Sequence, residues 1–299
     1  MSRRIIINGR NIGLGYPTYL IAEMSSNHNQ DFNRAVKIIE AAKDAGADAI
    51  KLQTYTPDTL TINGKNECFR IKGTLWEGKS LYELYKEAYT PWEWQPKLKT
   101  VAESLGLDLF SSPFDETAVD FLENMEVPAY KVASFELVDL ILLRRLGRTG
   151  KPVIMSTGMA TLAEIEEAVQ TLRKAGSQEL ALLKCTSAYP AVPEDANLRT
   201  IPHMAETFDL PIGLSDHTLG LAVPIAAVAC GACIIEKHFT LSRKESGPDS
   251  AFSLEPPEFK AMVEAVRTAE KALGNICYEI TEKQMEAGPS EGRSSLSAI

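Results

Sequence analysis

The stretch PIGLSDHTLGLAVPIAAVACGACIIEKHF, residues 211–239, decides the fold. A short apolar segment, Pro211–Leu214, ends in Ser215, Asp216 and His217. A helix-length apolar stretch, Leu219–Ala229, follows. A second apolar segment, Cys233–Ile235, then ends in Glu236, Lys237 and His238. This is the pattern of strand, crossover and strand, with an imidazole just past the end of each strand. A right-handed crossover makes such strands parallel neighbours, about 4.8 Å apart, so the two rings come within reach of one cation. The chain has four histidines in all, and two in equivalent positions are a signal.

Working outward, the same unit recurs: about five apolar residues, polar groups at their end, then an amphipathic helix. The other runs are Tyr19–Ala22, Ala49–Leu52, Leu107–Ser111, Ala129–Ala133, Pro152–Met155 and Leu180–Cys185. Helix starts carry cap signals, Asp115 before Glu116 and Thr161 three residues before Glu164. Pro91 and Pro256-Pro257 suit first helical turns. Gly46, Gly106, Gly150 and Gly176 mark helix ends. Eight βα units predict an α/β chain folded as a (β/α)8 TIM barrel. An open doubly wound sheet is the alternative, but no glycine-rich dinucleotide turn follows the first strand. Ile5–Ile12, around Asn8-Gly9, predicts a short N-terminal β-hairpin that closes one end. Residues 1–285 are read as the barrel domain. Tyr55–Thr90 is a long, aromatic-rich insertion of the kind that forms lids, and the Gly/Ser-rich residues 286–299 read as a linker.

Bulk composition excludes several classes. At 299 residues, 44% hydrophobic and 24% charged, the chain suits a globular α/β protein. A net charge of −9 with no basic stripe argues against nucleic acid. No apolar run approaches the roughly 20 residues that span a bilayer, and no signal peptide is evident. Five cysteines without framework spacing point to a reducing cytoplasm. Cys230 and Cys233 match C-x-x-C, but they fall at a helix-to-strand junction with no second pair.

In a barrel, chemistry sits at the C-terminal strand ends. Read in turn they offer Glu23 with Asn27, His28 and Asn29; Lys51 and Gln53; Ser111 and Ser112; Lys131, Ser134 and Glu136; Ser156 and Thr157; Thr186 and Ser187; Ser215 and His217; Glu236 and His238. Two lysines among hydroxyls make a receptor for a small polyanion. Two imidazoles suit a divalent transition ion, and lone carboxylates suit proton transfer. Taken singly each has a plainer explanation. Lys51 or Lys131 could pair with an acid inside the barrel, and His217 or Ser156 could cap a helix. Glu136 could be the first-turn charge of the fourth helix, and His28 and His203 could lie on the surface. What favours chemistry is that polar residues finish every strand on one rim.

At these residues the chain resembles the sialic-acid synthase family. The motifs are AEMSSNHNQD (22–31), IKLQTYTPD (50–58), SSPFD (111–115), AYKVASFE (129–136), STGM (156–159), CTSAYP (185–190), GLSDHT (213–218) and EKHFT (236–240). The insert 72–94 and Ser187 resemble the pseudaminic acid synthase branch. The resemblance implies condensation of phosphoenolpyruvate with an N-acetylated amino sugar. It implies that His217 and His238 hold Mn²⁺, with Mg²⁺ or Co²⁺ as alternatives. Lys51, Ser112, Lys131, Ser134, Ser156 and Ser215 would bind phosphoenolpyruvate. Glu23, Gln53, Tyr189 and Asp249 would contact the sugar, Ser187 would lie near both, and Glu136 would handle water or a proton. Neuraminate, legionaminate and spore-coat polysaccharide synthases are the neighbouring alternatives. A Schiff-base aldolase on Lys131 or Lys51 and a non-catalytic sugar-binding remnant are the rivals of different class. The family also implies an antifreeze-like domain after residue 299, which in a homodimer gives the partner's sugar site an Arg. Without it the expectation is an intact phosphoenolpyruvate site and weakened sugar binding, which isothermal titration of this chain would measure.

Overall fold

All eight apolar runs become parallel strands of one closed barrel. The structure, a computed structural model, describes residues 4–286 other than 65, 74, 75 and 246. A hairpin of β1 (Arg4–Ile7) and β2 (Arg10–Gly13) comes first. The barrel strands are β3 (Tyr19–Glu23), β4 (Ala49–Thr54), β5 (Asp108–Pro113), β6 (Tyr130–Val132), β7 (Val153–Ser156), β8 (Leu180–Cys185), β9 (Ile212–Asp216) and β10 (Ile234–His238). They pair in sequence order, and β10 closes on β3. The sheet is thus closed and parallel, the (β/α)8 TIM barrel expected. The segment read as a linker, 286–299, lies outside the described residues except for Glu286.

The helices are α1 (Phe32–Asp44), α2 (Pro57–Leu60), α3 (Leu81–Ala88), α4 (Gln95–Ser104), α5 (Glu116–Asn124), α6 (Leu140–Gly147), α7 (Leu162–Ala175), α8 (Thr200–Phe208), α9 (Ala222–Ala229), α10 (Pro256–Leu273) and α11 (Glu282–Glu286). Asp115 caps α5 through the backbone N–H groups of Thr117 and Ala118, and Thr161 with Glu164 forms a capping box on α7. Pro91 instead precedes a 3₁₀ turn, Trp92–Trp94, and Pro96 occupies the first turn of α4. Apolar faces of these helices pack on strands whose two faces are both buried, as a parallel sheet requires. Among the described residues no helix is long and apolar enough to cross a membrane.

The hairpin closes the N-terminal end of the barrel. Ile5, Ile7 and Ile12 are fully buried. Asn8 Nδ2 donates to Asp108 at 2.6 Å, and Arg10 pairs with Asp48. These two aspartates stand at the starts of β5 and β4, so the hairpin is tied to the end opposite the proposed chemistry. The C-x-x-C pair falls there too: Cys230 ends α9 and Cys233 precedes β10, both as free thiols.

Packing is close where β9 passes between β8 and β10. A Cβ on Gly213 would stand 2.4 Å from the Ile234 carbonyl oxygen and 2.7 Å from Leu183 Cδ2. No side chain fits without moving backbone. Gly213→Ala is therefore expected to destabilise the fold by about 1–3 kcal/mol, read as a lowered urea midpoint with an unchanged slope.

Candidate active site

Because all eight strands run parallel, their C-terminal ends share one rim, and the register aligns the polar residues around it. His238 pairs with Glu23, Glu23 with Lys51, Gln53 with Ser112, and Glu236 with Ser215. Strand alternation then turns Glu236 and His238 to the same face.

At the floor of the mouth two buried ammonium groups share one carboxylate. Lys51 Nζ lies 2.6 Å from Glu23 Oε2 and 3.7 Å from Glu236 Oε1. Lys131 Nζ lies 3.4 Å from the same Glu236 oxygen and donates to Ser156 Oγ at 2.7 Å. Ser112 Oγ accepts from Lys51 at 3.4 Å, and Ser215 Oγ is 3.5 Å from Glu236 Oε1. Pairing with an acid inside the barrel is therefore real for both lysines, and it occurs at the rim formed by the C-terminal strand ends. Burial opposes the charge of Lys51, but Glu23 and Glu236 outweigh it and hold its pKa above the ordinary value. Lys131 goes the other way: burial, with Lys51 adding repulsion, lowers it despite Glu236. Glu236 is held low because the two lysines overcome its burial, whereas burial dominates at Glu23 and raises it. The second oxygen of Glu236 is buried without a hydrogen-bond partner, so one acceptor remains for an incoming group.

Ser134 and Ser187 converge on Gly158 beside Lys131. The Gly158 N–H donates to Ser134 Oγ at 3.1 Å, and a Cβ at 158 would stand 2.2 Å from Ser187 Oγ. Ser156 makes no helix cap, since Thr161 caps α7. Glu136 is not in the first turn of α6 either. It lies in a 3₁₀ turn, Phe135–Val138, and Asp139 caps α6. Its Oε2 is buried without a partner, and burial pushes its pKa up to about 7.

The paired imidazoles meet on the same rim. The rings of His217 and His238 lie 5.4 Å apart between centroids. His238 is the last residue of β10 rather than the one after it, and His217 follows β9 directly. His217 does not cap α9, whose N-cap is Leu221. Its Nδ1 lies 2.9 Å from the Thr186 carbonyl oxygen. A carbonyl only accepts, so Nδ1 carries a hydrogen, and in the neutral ring Nε2 would keep the lone pair, the arrangement usual for a metal ligand. His238 Nδ1 is buried with no partner, and burial, with the charges of His217 and Lys51 adding to it, pushes the pKa of its ring well down. Burial opposes the charge of His217, but Cys185 and the Thr186 carbonyl outweigh it and raise its pKa, so His217 has to give up a proton before the two imidazoles can hold a divalent ion. Among the described residues no third His, Cys, Asp or Glu joins them in a ligating group, which leaves further positions to substrate or water. Cys185, unassigned from sequence, packs on His217; burial would raise its thiol, but that imidazole and Ser134 bring it down to about 7.

The outer wall carries the residues expected at a sugar. Tyr189 stacks on His217 at 4.3 Å between ring centroids and lies 5.2 Å from Phe252. Gln53 Nε2 donates to Glu23 Oε1 at 2.9 Å and to Ser25 Oγ at 3.0 Å. Asp249 accepts from the Ser25 hydroxyl and from Ser26 Oγ at 2.9 Å, so it ties the loop after β10 to the loop after β3. The long insertion reaches the same wall. Trp76 donates to the Pro248 carbonyl at 2.9 Å, and its ring lies 6.4 Å from Tyr189. A cavity of about 630 Å³ opens there, bounded by Asn29, Gln30, Trp76, Glu77, Lys79, Glu87, Gly247, Pro248, Ser250 and Ala251. His28, offered on the first loop with the surface as its plainer alternative, is fully buried: its Nε2 meets Thr90 Oγ1 at 3.1 Å and its Nδ1 accepts from Gln30 N. His203 is exposed on α8 as expected.

Comparison with known proteins shows the family. The NeuB family model matches residues 38–278. The chain belongs to the NeuB family. A pseudaminic acid synthase of Helicobacter pylori is 47% identical over 270 residues, 90% of this chain and 79% of that protein. An N,N'-diacetyllegionaminic acid synthase of Legionella pneumophila is 39% identical over 267 residues, 88% of this chain and 75% of that protein. Among solved structures, the N-acetylneuraminic acid synthetase of Leptospira borgpetersenii in complex with citrate superposes with a TM-score of 0.85. It is 34% identical, over 96% of this chain and 95% of that one.

Sequence reading missed the role of Glu236 in this NeuB-family site, although its two-residue spacing from His238 placed both on one face. No local signal could join Ser25 to Asp249, 224 positions apart. Glu236→Gln leaves two buried ammonium groups with one carboxylate between them. The expected cost is about 3–5 kcal/mol, seen as a lowered melting temperature that millimolar phosphate recovers more fully in the variant than in the wild type.

Proposed function

We propose that this chain condenses phosphoenolpyruvate with an N-acetylated amino sugar, releasing phosphate, and that its product is pseudaminic acid. The observation that carries the reading is 47% identity, across 90% of the chain, to pseudaminic acid synthases. The mouth suits the chemistry: two buried lysines with convergent serines for an anion, two imidazoles for a cation, and an outer wall of aromatic and amide groups.

In this reading Lys51 and Lys131, with Ser112, Ser134, Ser156 and Ser215, take the carboxylate and phosphate oxygens of phosphoenolpyruvate. Compact ammonium charges stabilise those oxygens throughout, in a site where little water screens them. A divalent ion on His217 and His238, Mn²⁺ in the first instance, would supply Lewis-acid polarisation of the sugar's aldehyde oxygen. Glu23, Gln53, Tyr189 and Asp249 line the sugar's side, Asp249 by holding the Ser25 and Ser26 loop in place. Ser187 stands between the two substrates. Orienting both lets C3 of phosphoenolpyruvate bond to the aldehyde carbon, which leaves C2 open to water. The Glu136 carboxylate takes a proton from that water, and phosphate then departs by C–O cleavage.

A mixture of 2,4-diacetamido-2,4,6-trideoxy-altrose and phosphoenolpyruvate should release phosphate faster than either N-acetylmannosamine or the legionaminate precursor. EDTA should stop the release, and borohydride should trap no adduct on Lys131. Preference for N-acetylmannosamine would overturn the choice of product, and a trapped adduct would favour an aldolase. For Glu136, the base is the ionised form and its pKa is raised to about 7. Its limb of the pH–rate profile should therefore rise with pH through about 7. Glu136→Gln should remove that limb and lower kcat by about 10²–10⁴-fold.

A further inference from the structure

β9 and β10 deliver the two imidazoles, and a buried charge pair that the proposed chemistry does not use lies beside them. The register sets Glu236 opposite Ser215 and Lys237 opposite Asp216. Glu236 turns into the mouth, so by strand alternation Lys237 turns away from it, and Asp216 likewise. Lys237 Nζ donates to Asp216 Oδ2 at 2.8 Å and to the Thr218 carbonyl at 2.5 Å. Asp216 Oδ1 in turn accepts from the Thr218 N–H at 2.9 Å. One ammonium and one carboxylate thus grip both residues that flank His217, and the ammonium belongs to the residue next to His238. Lys237 is 1% exposed and Asp216 3%.

Stability is a poor reason for such a pair. Two charges taken out of water lose hydration that their attraction barely repays, and an apolar replacement of similar shape is often neutral or better. Direction is what the pair adds. β9 ends at Asp216, so the ladder to β10 stops one residue before His217. On the β8 side, the chain beyond that point is held by the Ala191 N–H on the His217 carbonyl at 3.0 Å and by a bridge between Ala191 and Thr218. On the β10 side, the link is the Lys237 ammonium on the Thr218 carbonyl. A shared cation tolerates errors of only about 0.2 Å in ligand distance, so slack in that link would be felt at once.

We propose that Asp216 and Lys237 are positioning residues that fix His217 relative to His238 and thereby set the affinity of the pair for a divalent cation. This rests on the reading of the two imidazoles as a cation site. The test uses the full 299-residue chain, with Mn²⁺ alone as probe, its binding followed by electron paramagnetic resonance of the free ion and by calorimetry beside thermal melts. Lys237→Met leaves a lone buried carboxylate and should melt lower. The double variant Asp216→Asn/Lys237→Met leaves no lone charge. It should melt near the wild type yet bind Mn²⁺ about 10–100-fold more weakly. A double variant that folds and binds Mn²⁺ with wild-type affinity overturns the inference, because the pair would then serve stability alone. Should the double variant not fold, Lys237→Arg keeps the charge but changes its geometry. It should bind at least several-fold more weakly, and wild-type affinity there overturns the inference equally. A wild-type chain that binds no Mn²⁺ fails differently: it removes the cation reading, and the inference with it.

Discussion

Two ammonium groups enclosed in one barrel mouth repel each other, and the Glu236 carboxylate between them is what allows the fold to close around both. It lies 3.7 Å from Lys51 and 3.4 Å from Lys131, while Glu23 takes the remaining charge of Lys51. The network leaves two lysines desolvated and oriented. That is the condition under which an ammonium binds a phosphate or carboxylate strongly, because no water shell has to be stripped from it first. The lysines also differ. Lys51 is held firmly charged by two carboxylates, whereas Lys131, with a smaller share of negative charge, is the more easily discharged.

The rest of the rim is arranged around that floor. Register brings Glu23 beside Lys51 on one side and beside His238 on the other, so anion and cation chemistry are adjacent by construction. Tyr189 covers His217 from above. Its wall continues through Phe252 and Trp76 to the insertion, which packs its own Tyr55 against Tyr85 and Phe114. The loop after β10 is pinned twice, by Asp249 to the first loop and by the Pro248 carbonyl to Trp76. Loops that carry specificity are thereby anchored on a rigid barrel.

The fold was legible because its signals are local and repeated. Eight apolar runs with polar ends, separated by capped amphipathic helices, leave few architectures open, and the hairpin turn at Asn8-Gly9 is a short-range signal as well. The site was legible in part for the same reason: in a parallel barrel, a polar residue at a strand end is already at the mouth. His217, His238, Lys51 and Lys131 could be placed on one rim from spacing alone. His28 could not be placed, because its burial depends on Thr90, 62 positions away. Glu136 could be placed at the rim but its burial could not, since one 3₁₀ turn separates a solvated helix charge from a carboxyl with a buried oxygen.

The amino-acid sequence by itself determined the order of strands, the end at which chemistry gathers and the family, since each follows from periodicity, caps and contiguous motifs. Tertiary structure alone decided which charge answers which: Glu236 shared by two lysines, Asp249 spent on two serines, and Lys237 locked to Asp216. Such pairings depend on distances across strands and loops that are far apart in the chain, and electrostatic energy in a desolvated interior varies too steeply with those distances for composition or spacing to fix it.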